Sequence, residues 1–144
     1  MLAFLRHWEG GTADARRMAD SLALHAPGNL SYAQSDNAAF ALVGGAPGNQ
    51  PGPARRPVPA TLPSGDRVLF TGWFDNLTEI AAQLGVPASD PATVYGHAVE
   101  RWGDLTELHV IGAYAAVVDR PRLGEVRLVR SPITAPPLHY HRSE

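Results

Sequence analysis

The chain of 144 residues contains no cysteine. That absence excludes disulfides, thiolate metal sites and thiol catalysis, and it leaves the redox compartment open. Long hydrophobic runs are missing too. The apolar stretch Met1-Leu2-Ala3-Phe4-Leu5 stops at Arg6-His7, short of a signal-peptide core, and no run approaches the roughly 18–20 apolar residues of a membrane span. A soluble, cytoplasmic protein with no membrane partner is the expectation. An excess of one charge sign is also lacking: 12 basic and 14 acidic residues leave a net −2, and charged residues make up 18% of the chain. Such a balance builds neither a nucleic-acid surface nor a disordered acidic tail. What is present is a 44% hydrophobic composition at a one-domain length, enough for a real core.

Residues 2–5 read as a short buried strand. Thr12 can cap a helix over 13–25, with Ala15, Met18, Ala19 and Leu22 at i, i+3, i+4 and i+7. Pro27-Gly28-Asn29 stops it. Residues 30–34 and 38–43 read as a hairpin turned by Ser35-Asp36-Asn37. Residues 44–59 are mostly glycine and proline and support neither helix nor ladder. They are expected to form a long, mobile loop inside a single domain covering 1–144, because neither flank alone could bury a core. A domain linker is the alternative.

Beyond the turn Ser64-Gly65-Asp66, a strand is expected at 67–71. Asn76 and Glu79 have the spacing of a capping box for a helix over 77–84, which Gly85 ends. Asp90-Pro91 opens a second helix, with proline at its tolerated first position, and Gly103 closes it. Residues 109–119, 125–130 and 138–141 read as strands, with a turn over 119–124. Helices followed by a run of antiparallel strands argue for an α+β fold and against a doubly wound parallel sheet.

Several of these stretches resemble, in order, the glutaminase-type (class II glutamine amidotransferase) domain that opens asparagine synthetases and their relatives. That family has a strand ending in Asn-Gly-Glu, then Tyr-Asn or Asp-Asn and a helix; here Thr71-Gly72-Trp73-Phe74-Asp75-Asn76-Leu77 is similar. A helix ending in Arg-Trp-Gly is matched by Glu100-Arg101-Trp102-Gly103, and a Gly-x-Phe-Ala-Phe-x-x-x-Asp strand by Gly112-Ala113-Tyr114-Ala115-Ala116-Val117-Val118-Asp119. An Arg-Asp-x-x-Gly-x-x-Pro-Leu-Tyr-Tyr ending is matched by Arg130-Ser131-Pro132-Ile133-Thr134-Ala135-Pro136-Pro137-Leu138-His139-Tyr140. Near the N-terminus, Ala23-Leu24-His25-Ala26-Pro27-Gly28 sits where the family has His-Arg-Gly-Pro-Asp-Gly. The resemblance implies the αββα sandwich of N-terminal-nucleophile hydrolases, with antiparallel sheets.

The departures from the family pattern fall on its chemistry. The cysteine nucleophile follows the initiator methionine in the family, and here that position is Leu2. Leu2 also predicts that Met1 is retained, which would block the free terminus. The arginine that holds the glutamine carboxylate is replaced around Ala26. The oxyanion-hole asparagine position holds Thr71, although Gly72 keeps a backbone N–H. Trp73 replaces the acid of Asn-Gly-Glu and is expected to fill the old pocket with its indole. The acid that grips the glutamine amino group would fall at Pro91, with Asp90 one place off. Thiolate attack on an amide needs nucleophile, amine base and oxyanion donors together. No catalytic residue is therefore expected, only a vestigial pocket of Thr71, Gly72, Trp73, Asn76 and Asp90.

Other suggestive residues carry plainer readings. His139 and His141 share a strand face, but two ligands make no metal site, and His7, His25, His97 and His109 have no ligand spacing. Gly10-Gly11-Thr12 resembles a self-cleavage site that exposes a threonine nucleophile; capping is the expected role of Thr12. Trp102, Tyr95 and Tyr114 read as core and interface aromatics, Arg55-Arg56 as solvated, and Ser64-Gly65-Asp66 as a turn and not an ATP loop.

In the family, the glutaminase half serves a C-terminal ATP-pyrophosphatase domain that adenylates a carboxylate for attack by an amine. Relatives without the cysteine include β-lactam synthetases and the cyclases that close the macrolactam ring of lasso peptides. The resemblance thus implies a catalytically inactive, glutaminase-like scaffold of an ATP-dependent amide-forming ligase, with the lasso-cyclase branch favoured by composition. Its partners would be the synthetase domain, on the same or a separate chain, and a peptide substrate or biosynthetic partner. ATP and Mg would belong to that missing domain, with no cofactor in this chain. The alternatives are an active amidotransferase domain supplying ammonia for asparagine synthesis, and a stand-alone interaction module.

Overall fold

A computed structural model describes residues 2–6, 16–18, 20, 21, 24, 30–35, 38–43 and 59–132 of the chain. The chain divides into two compact units, Met1–Val58 and Pro59–Glu144, with the border at the end of the Gly/Pro-rich run. Its class is mixed α+β, and every strand pairing is antiparallel. No helix among the described residues is long and apolar enough to cross a membrane.

The first unit contains a three-stranded sheet of β1 (Leu2–Arg6), β2 (Leu30–Ser35) and β3 (Ala38–Val43) in the order β1-β3-β2. The predicted hairpin forms, pairing Ser35 with Ala38 and Leu30 with Val43. Arg16, Arg17, Met18, Asp20 and Ser21, inside the expected first helix, are helical, and Ser21 Oγ donates to Arg17 O at 2.8 Å. The expected cap Thr12, the run 44–58 and the last expected strand, 138–141, lie outside the described residues.

The second unit is a four-stranded sheet in the order β4-β5-β6-β7, with helices inserted between its second and third strands. Its strands are β4 (Ala60–Thr61), β5 (Arg67–Phe74), β6 (Gly112–Arg120) and β7 (Glu125–Arg130). The helices are α1 (Leu77–Leu84), α2 (Pro91–Trp102) and the single turn α3 (Thr106–His109), reached through a 3-10 turn at Gly103–Leu105. Two boundaries differ from the sequence reading. β5 runs on through Gly72 and Trp73 because its pairing with β6 continues to Phe74 opposite Gly112. The third strand begins at Gly112 and not at His109, since Val110 N donates to Thr106 O at 3.2 Å and closes 106–109 into a helical turn, whose first residue is tied back by Thr106 Oγ1 donating to Gly103 O at 2.7 Å.

Period-two alternation sorts the sheet into two apolar faces. Val68, Phe74, Tyr114, Ala116, Val118 and Val129 meet Ile80 and Ala81 of α1 and Ala92, Val94, Tyr95, Ala98 and Val99 of α2 in one core. Each of the larger side chains contributes about 1.5–3 kcal/mol by burial. Gly96 permits the close approach of α2: a Cβ there would lie 2.8 Å from both Leu62 Cδ atoms, which offsets the roughly 1 kcal/mol that glycine costs inside a helix. The opposite face carries Leu69, Thr71 and Trp73 beside Ala113, Ala115 and Val117 and then Leu128 and Val126. Leu69, Ala113, Ala115 and Val117 are buried. A sheet apolar on both sides is built to be covered on both.

Candidate functional site

The sequence-predicted residues Thr71, Gly72, Trp73 and Asn76 fall together at the C-terminal end of β5 and the entry to α1. Gly72 has φ +108°, and a Cβ there would lie 2.0 Å from Ala113 O, so only glycine fits. Trp73 is 60% exposed. Its indole therefore does not fill a pocket, contrary to the expectation; the register turns it to the face away from the helices, beside Ala113. Leu2 belongs to the first unit, where its backbone pairs with Leu42.

Asn76 precedes α1 but its side chain makes no cap bond, so the capping box with Glu79 does not form. Instead Asn76 Nδ2 donates to His109 O at 2.8 Å and Asn76 Oδ1 accepts from Ile111 N at 2.9 Å. One amide thus clamps both sides of the α3–β6 junction, with His109 stacked on Trp102 at 4.2 Å beside it. A carboxamide, with donor and acceptor on one plane, suits such a bridge. Glu79 accepts from Gln83 one turn on.

Asp90 caps α2 as its pairing with Pro91 predicted: its Oδ2 accepts from Thr93 N at 3.0 Å and from Thr93 Oγ1 at 2.6 Å. Its carboxylate is occupied in holding the helix start, where it also complements the helix dipole.

Sequence reasoning missed a charged and aromatic cluster behind this strand end. The rings of Phe70, Phe74, Tyr95 and Tyr114 lie within 4.8–6.1 Å of one another, centroid to centroid. Tyr95 Oη donates to Glu107 Oε1 at 2.6 Å. Arg127 of β7 donates to Glu107 Oε2 at 2.5 Å, to Gly103 O at 2.9 Å and to Asp104 Oδ1 at 3.1 Å. The guanidinium so neutralises Glu107 and satisfies a carbonyl at the C-terminal end of α2, where a cation is favoured. Tyr114 Oη is buried and without a hydrogen-bond partner. Burial, then the hydrogen bond and charge of Glu107, push the Tyr95 hydroxyl well above its ordinary range, with Arg127 opposing. Burial and then Glu107 push Tyr114 up to about 12.

These phenols are protonated at neutral pH and face a carboxylate already paired, so the cluster holds elements together and has no poised nucleophile. At the far end of the sheet, Arg67 pairs with the fully buried Asp119 directly opposite it. No group of three or more His, Asp or Glu able to hold a metal occurs among the described residues; His139 and His141 lie outside them. Compared with known proteins, the chain matches no family model, and no curated protein matches it significantly.

Proposed function

We propose that the chain is a catalytically inactive, glutaminase-like domain with the αββα sandwich fold of N-terminal-nucleophile hydrolases. In this reading it is the scaffold of an asparagine synthetase-like, ATP-dependent amide-forming ligase of the lasso-peptide cyclase branch. The observation that carries the reading is Leu2 at the nucleophile position of a chain without cysteine, set within motifs that keep the family's order. A ligase whose substrate already contains its amine needs no ammonia, and its glutaminase half is then free to lose the thiol. Two features support the fold: a β1-β3-β2 sheet, and a second antiparallel sheet with helices on one face and an apolar face on the other. The old pocket residues now have structural duties, Asp90 in a helix cap and Asn76 in a backbone clamp.

ATP and Mg belong to the synthetase partner, which adenylates the carboxylate. The test is ATP-dependent amide formation by the chain together with the ATP-pyrophosphatase domain encoded with it, with and without added glutamine. The reading expects product formation that needs both protein parts and is indifferent to glutamine. Glutamine-dependent ammonia release would overturn it in favour of an active amidotransferase.

A further inference from the structure

We draw no further inference here: the strongest candidate, the surface patch of exposed Leu105, Leu108 and Ile111 along the α3 turn, carries none because nothing in the structure shows what covers it.

Discussion

Tyr95 and Tyr114 share one aromatic cluster and differ in a single bond. Tyr95 donates to Glu107, while the Tyr114 hydroxyl is buried without a partner. Removing the first hydroxyl, in Tyr95→Phe, strips the half-buried Glu107 carboxylate of one of its donors and is expected to cost about 1–3 kcal/mol. Tyr114→Phe removes a desolvated group that gains nothing in the fold, and stability should stay level or rise by up to about 1 kcal/mol. Urea denaturation of the two variants checks the contrast, and equal losses would contradict it. The alkaline limb follows from the same pair. Both folded-state values lie above the ordinary 10.0 of a free tyrosine, so between pH 10 and about 12 the unfolded chain has released protons that the folded chain retains. Their contribution is complete below pH 10 and is lost as pH rises through the Tyr114 value of about 12. Tyrosinate absorbance from these two residues should therefore rise together with the loss of folded signal.

Local pairing decides what could be read at the level of single elements. Asp90-Pro91 and Gly85 act on residues within one turn, so the sequence announces them; the α2 cap and the end of α1 appear where expected. Asp90→Ala should cost about 1 kcal/mol, measured by thermal denaturation. Asn76 shows the opposite case. Its spacing to Glu79 suggested a cap, but its partners His109 and Ile111 are 33 and 35 positions away, a distance no local pattern spans. Glu107 and Arg127, 20 apart, were hidden for the same reason. Asn76→Leu keeps the approximate volume and removes both bonds, leaving two backbone groups unmatched; a loss of about 2 kcal/mol is expected, with faster amide exchange at Ile111. Gly72 was noticed for its likeness to an oxyanion position, yet its constraint is steric. Gly72→Ala drives a methyl into Ala113 O at a backbone angle suited to glycine, and a loss on the order of 3 kcal/mol follows.

For the whole molecule, hydrophobic periodicity conveyed the α+β class, the antiparallel pairing and the order of elements in the second unit, since those depend on which residues alternate and where turns fall. It did not convey that Trp73 is exposed, because the exposure follows from the register of β5 on β6 and not from the residue's own preference for burial. Motif order suggested a likeness to the glutaminase-type family, whose nucleophilic cysteine has no counterpart in this chain. The two apolar faces of the second sheet, with Asp90 in a helix cap and Asn76 in a backbone clamp, are what the proposed scaffold role would use. The measurement that tests this most directly is to read the coding frame past Glu144, and the frames beside it, for an ATP-pyrophosphatase domain. The account predicts one, carrying a Ser-Gly-Gly-x-Asp loop. Finding no such domain in any of these frames would contradict the ligase reading.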